Sequence, residues 1–299
     1  MKIVVLGSNL TALCQIGALR AGFSALGHTP IVDYTDPDTS FVFIGNSPYS
    51  GYLDLARSGQ RKVLFNVLDL APHCAEHLDI VSRLKSQLPL AFKTTTISKT
   101  VAAEIAEKCG VRAEVIYYPM KDVRFTGEKK YGQFKVLCAG RLRDPNKNMA
   151  QTVMALIRAG FNEDEVAMVG PEYPGWGTPC GVVSDEKLND LYNSVDYVVS
   201  LALNEGIGLV PIEGAICGAI PIVSPSLSTF NEFWSDTPMG IHYQTLHSPD
   251  SIAALIRSIE NDKEWKAALK AQMQEHGERV FRPLFDRVEV AKRIMVAAL

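Results

Sequence analysis

Short apolar runs recur along this chain, and helical patterns separate them. In the first part they fall at residues 2–6, 30–34, 41–44, 61–67, 91–95 and 113–117. In the second they fall at 134–139, 166–169, 196–201 and 220–223. Each run has the length of a strand buried on both faces. Between the first two, Ala12, Ile16, Leu19, Phe23 and Leu26 keep helical spacing until Gly27-His28 ends the pattern. A strand, a helix and a further strand at such short intervals require a right-handed crossover and a parallel sheet. The two series of runs are parted by the polar stretch 121–130, which holds Gly127 and the cations Lys121, Arg124, Lys129 and Lys130. This predicts two α/β domains, residues 1–127 and 128–299, joined by a solvated link.

One stretch carries more than packing. Residues 204–224 read Asn-Glu-Gly-Ile-Gly-Leu-Val-Pro-Ile-Glu-Gly-Ala-Ile-Cys-Gly-Ala-Ile-Pro-Ile-Val-Ser. A glycine-broken loop runs into a short helix and then a buried strand. Pro211 suits the first helical turn, and Gly218 suits the end. Glu213 is expected in that first turn, beside the free N–H groups. Glu205 precedes it, with seven residues between the two carboxylates. Either glutamate alone is unremarkable, one as a dipole partner and the other as a solvated loop residue. Together, with Gly206 and Gly208 between them, they point to a site.

Glu205 and Glu213 at this spacing, Gly206-Ile207-Gly208 after the first, and Gly218-Ala-Ile-Pro-Ile-Val resemble the retaining glycosyltransferases of family four, the group 1 type. Two upstream blocks are similar to the same family. One is Gly140-Arg141-Leu142 followed by Lys147-Asn148; the other runs from Thr96 to Pro119. The resemblance implies a GT-B fold, two Rossmann-like domains with parallel sheets facing a central cleft, with the last helix crossing back onto the first domain. It implies sugar transfer from a nucleotide-sugar to an acceptor hydroxyl, with retention. Arg141 and Lys147 would hold the donor diphosphate, where negative charge builds on the leaving group. Glu213 would take the ribose hydroxyls, and Glu205 would face the sugar. The backbone around Gly206, Ile207, Gly208, Leu209 and Val210, together with Gly140 and Gly170, would line the donor site. The family's histidine after the fourth strand is absent, because Leu68-Asp69 stands at that place. His73, a few residues on, is the candidate substitute. The departure leaves open a nucleotide-sugar binder without turnover, a transferase acting on modified DNA bases, or a nucleotide-sugar epimerase.

Apart from the nucleotide-sugar as co-substrate, no cofactor is implied, and no metal. His73 and His77 flank Glu76 at helical spacing but lack a third ligand. Asp36-Pro37-Asp38 suits a turn. The acceptor is a hydroxyl of a saccharide, a lipid or a modified nucleic acid. A net charge of −3 argues against a general nucleic-acid binder. The six cysteines are scattered without a Cys-x-x-Cys pair, as expected of free thiols in a reducing compartment. The chain opens directly on a strand pattern and holds no apolar run of about 18 residues, so neither a signal peptide nor a transmembrane segment is expected, and a cytoplasmic location is. The loop Tyr173-Pro174-Gly175-Trp176-Gly177 offers either an aromatic near the donor base or a surface turn.

Overall fold

The computed structural model describes residues 1–7, 10–31, 39–45, 62–68 and 80–299. Asp36, Asp38, Asp69, His73, Glu76 and His77 lie outside these residues. The chain forms two compact units. One comprises Met1–Met120 with Leu284–Leu299, the other Lys121–Pro283.

The first unit is built on β1 (Lys2–Gly7), β2 (Thr29–Ile31), β3 (Thr39–Gly45), β4 (Lys62–Val67), β5 (Lys93–Thr96) and β6 (Glu114–Val115). All pair in parallel, in the order β2-β1-β3-β4-β5-β6. Helices α1 (Leu10–Ala25), α2 (Ile80–Gln87) and α3 (Lys99–Cys109) belong to the same unit. Ile3, Val5, Val42, Val63 and Leu64 are at most 1% exposed, as strands covered on both faces require. Ser98 caps α3 by accepting from the Val101 N–H at 3.2 Å, and Gly110 closes it in the left-handed region. The C-terminal helix Arg287–Ala298 packs against α1. A Cβ at Gly22 would lie 2.2 Å from the Arg287 carbonyl oxygen, so the contact needs glycine.

The second unit contains β7 (Val136–Ala139), α4 (Met149–Ala159), β8 (Val166–Val169), β9 (Thr178–Gly181), α5 (Asp185–Ser194), β10 (Tyr197–Ser200), α6 (Leu209–Ile216) and β11 (Ile220–Val223). Two longer helices follow, α7 (Pro249–Asn261) and α8 (Lys263–His276). Its sheet is also parallel, in the order β11-β10-β7-β8-β9. The apolar pattern does not announce β9. It is an edge strand with Pro179 and alternating half-burial, so it lacks the apolar run of the central strands. Chain order reverses between the neighbours β7 and β10, where Tyr197 pairs with Val136. The loops leaving their carboxyl ends therefore diverge and open a crevice.

The stretch expected to be a solvated link is docked. Residues 121–131 run along α5 as a strap. The Arg124 N–H donates to the Asn189 side chain at 2.7 Å and the Thr126 N–H to Asn193 at 2.7 Å, while the Tyr131 N–H donates to Ser194 Oγ at 3.0 Å. Asn193 also donates back to the Arg124 carbonyl at 2.8 Å. Asn189 and Asn193 stand one helical turn apart, which matches the advance of the strap. Lys121 pairs with Asp185, Lys130 with Asp190 and Lys129 with Asp196.

Candidate functional site in the second unit

The crevice between β7 and β10 is walled by two loops of unlike character. The loop after β7 begins at Gly140 and carries Arg141, Asp144 and Lys147. Asp144 caps a tight turn over Pro145–Lys147 by accepting from the Asn146 N–H at 3.0 Å. Asn148 then takes φ +52°, the one left-handed non-glycine among the described residues. Asparagine tolerates that conformation because its short polar side chain makes local hydrogen bonds. The turn lets Lys147 leave the loop while α4 starts beyond it. The loop after β10 begins at Leu201 and carries Glu205-Gly206-Ile207-Gly208 into α6. The Leu203 N–H donates to the Asn146 carbonyl at 2.9 Å and ties the two loops together.

Lys147 and Glu205 meet here. The Lys147 ammonium donates to a Glu205 carboxylate oxygen, with both side chains mostly buried, 20% and 14% exposed. A Cβ at Gly140 would sit 3.5 Å from Lys147 Nζ, and one at Gly208 would sit 3.0 Å from the other Glu205 oxygen. Both glycines therefore line this pair. Gly208 is the N-cap of α6 with φ +75°, and it offers no capping side chain. The first-turn N–H groups of Leu209 and Val210 have no intrahelical acceptor. A cation, a carboxylate and an uncapped helix start thus share one crevice, an arrangement able to receive a polyanion.

Gly170 stands at the rim. Its N–H donates to the Gly181 carbonyl at 2.9 Å, and a Cβ there would lie 2.0 Å from the Gly140 carbonyl oxygen. Only glycine lets the loops after β7 and β8 approach this closely.

Arg141 is more exposed. Its guanidinium pairs with Asp144 at 3.0 Å, and the side chain is 55% exposed. Tyr173 closes its own turn, its hydroxyl donating to the Gly177 carbonyl at 3.0 Å. Beside it, Leu142, Arg143, Asp144, Asn148, Met149 and Pro174 line an open cavity of about 300 Å³.

Glu213 lies elsewhere than expected. The helix starts at Leu209, two residues before Pro211, so Glu213 falls in the second turn rather than the first. It is 4% exposed and faces α5. One oxygen accepts the Tyr192 hydroxyl at 2.8 Å, the other the Lys121 N–H at 3.3 Å. Burial pushes its carboxyl up to about 7, against the hydrogen bond from Tyr192 and the nearby Lys121 charge. Burial likewise pushes Tyr192 well above its ordinary value, so the tyrosine remains the proton donor.

Sequence reasoning did not single out Ser228, Thr229, Tyr192 or Asn146. The Ser228 hydroxyl donates to the Glu205 carbonyl at 2.9 Å and accepts from the Glu205 N–H at 3.3 Å. Thr229 donates to the Ile207 carbonyl at 3.3 Å. Both come from the loop after β11, which fastens the glycine-containing loop at its middle. The signal available for Tyr192 was its place on the core face of α5 with Leu188 and Leu191, since a buried tyrosine hydroxyl needs a partner. Leu68 is buried in the first unit, 6% exposed. The question of His73 as a substitute falls on residues outside those described.

Residues 180–279 match the model of the family Glycosyl transferases group 1. That range contains Glu205 and Glu213, while Arg141 and Lys147 lie before it. No curated protein sequence matches the chain. Among solved structures, the sucrose-phosphate synthase of Thermosynechococcus elongatus superposes with a TM-score of 0.77 at 14% identity, covering 99% of this chain and 98% of that one. Anabaena HepE in complex with UDP-glucose gives 0.74 at 15% identity, with 100% of both chains covered. T4 phage BGT in complex with its UDP-glucose substrate gives 0.60 at 13% identity, covering 100% of this chain and 99% of that one. With two parallel α/β units, a group 1 domain in the second and these structural relatives, the chain is a GT-B glycosyltransferase of the group 1 type.

Proposed function

We propose that this glycosyltransferase moves a sugar from a uridine diphosphate sugar to an acceptor hydroxyl with retention of configuration and without a metal ion. The observation that carries the reading is the meeting of Lys147 and Glu205 at the strand reversal, beside the uncapped start of α6. The uridine nucleotide is suggested by the UDP-glucose held by HepE and by T4 phage BGT.

In this reading the diphosphate takes Lys147 away from Glu205 and lies against the N–H groups of Leu209 and Val210. Arg141, at the exposed edge, leaves Asp144 to reach the same phosphates. As the glycosidic bond breaks, charge grows on the diphosphate, and these fixed groups stabilise it most at that moment. They supply the positive charge that a metal ion would otherwise bring. Glu205, freed from Lys147, accepts hydroxyls of the sugar. Glu213 accepts the ribose diol from inside α6. Gly140 and Gly170 keep the floor of the crevice clear.

Incubation with UDP-glucose tests this without knowledge of the acceptor, because water can take the acceptor's place. Proton NMR of the released glucose is expected to show the α anomer first, at an unchanged rate when EDTA is added. Initial β anomer contradicts retention, and an EDTA-sensitive rate contradicts the metal-free reading.

A further inference from the structure

Glu213 is placed unusually for a group meant to receive a ribose diol. It is buried, its helix start lies a turn away, and its own helix gives it no cation. What faces it comes from other elements. From α5 comes the Tyr192 hydroxyl at 2.8 Å, together with the charge of Asp185. From the strap comes the Lys121 N–H at 3.3 Å, with the Lys121 ammonium nearby. From the end of α6 comes the Cys217 thiol, which burial pushes up to about 12, so it stays neutral.

Each donor is itself held. Lys121 is anchored through its ammonium to Asp185 at 2.5 Å. Tyr192 is fully buried among the α5 core residues. Its hydroxyl therefore has one direction to point.

We infer that Tyr192 is a positioning residue for donor binding, holding Glu213 ionised and fixed so that the carboxylate can accept both ribose hydroxyls. The inference rests on the reading of Glu213 as the diol acceptor. A carboxylate can accept two hydrogen bonds from a diol, whereas a protonated carboxyl turns one oxygen into a donor. Donor affinity should then fall as Glu213 takes up a proton. A phenol that hydrogen-bonds the charged form holds that protonation at lower pH. Removing the hydroxyl while keeping the ring takes away this restraint and leaves the packing.

The test is a calorimetric titration of UDP-glucose between pH 5.5 and 8.5 into the wild-type protein, Tyr192→Phe and Glu213→Gln. UDP-glucose carries no group that titrates in this range, so the profile belongs to the protein. Wild-type affinity is expected to weaken as pH falls through about 7. In Tyr192→Phe the midpoint should move up by half a unit or more, with affinity about threefold weaker at pH 7 and within twofold of wild type at pH 8.5. Glu213→Gln should bind weakly at every pH. A Tyr192→Phe profile with the wild-type midpoint overturns the inference, as does a loss of equal size at every pH. Wild-type-like binding by Glu213→Gln overturns instead the reading of Glu213 on which the inference rests. Absence of binding by the wild-type protein overturns the uridine-nucleotide reading.

Discussion

Lys147 and Glu205 neutralise each other in the free protein, and the consequences differ for the two partners. Removing Lys147 leaves a mostly buried carboxylate uncompensated, and removing a diphosphate contact adds to that. Lys147→Ala is expected to lower kcat by roughly 10²–10³, with a smaller change in KM. An effect on KM alone would reduce Lys147 to a binding contact. Ser228→Ala removes two hydrogen bonds to the Glu205 backbone and should cost roughly 1–2 kcal/mol in thermal unfolding. It should also lower kcat, because the carboxylate loses its fixed place. Glu213 carries a pH signature of its own. Its carboxyl is raised in the folded protein from an ordinary value near 4.5 to about 7. The folded state therefore holds the proton more tightly than the unfolded one. That stabilisation is complete below the unfolded value and is lost as pH rises through about 7. Melting temperatures between pH 5 and 7.5 should fall in the wild-type protein relative to Glu213→Gln. Parallel curves would show that Glu213 does not titrate there. The glutamate pair, its glycines and the Arg141 and Lys147 positions were legible from residue types and spacing alone. Their partners were not, because Ser228, Tyr192 and Asn146 act across chain separations that no local pattern records.

At the level of elements, the strap and the helix boundaries separate pattern from structure. Proline in a first turn suggested that α6 begins at Pro211, but the helix gains two residues before it and moves Glu213 into the second turn. Proline is tolerated anywhere its missing N–H would be unsatisfied, so it marks a turn of helix rather than a single position. The strap's composition is that of a linker, and only the Asn189–Asn193 spacing on the facing helix hints at its docking. Its far end reaches Asp196, which also receives Lys266 and Lys270 at 2.8 Å each. Burial pushes the Asp196 carboxyl up, but Lys266 and Lys270 outweigh it and hold the carboxyl well below the usual range. This contribution is present above the unfolded carboxylate value and is lost as pH falls toward the depressed folded one. Asp196→Asn leaves three lysines facing one another and should destabilise by roughly 2–4 kcal/mol at pH 7. The difference from wild type should shrink in acid denaturation below pH 4. A constant difference at all pH values would assign the loss to packing instead.

For the whole molecule, the alternation of short apolar runs with helical patterns was enough to announce parallel α/β units, because a crossover connection leaves little choice of sheet. It could not announce β9, an edge strand without a buried face on both sides. Nor could it give strand order, which comes from long-range pairing. Yet strand order is what locates the site, since the reversal between β7 and β10 puts the Lys147 loop beside the Glu205 loop. No helix among the described residues is long and apolar enough to cross a membrane. The account's central claim is that this reversal holds the donor nucleotide. A crystal structure of the protein soaked with UDP-glucose tests it most directly. The account predicts the diphosphate between Lys147 and the N–H groups of Leu209 and Val210, with the ribose against Glu213. A diphosphate bound away from Lys147 and from the start of α6 would contradict it.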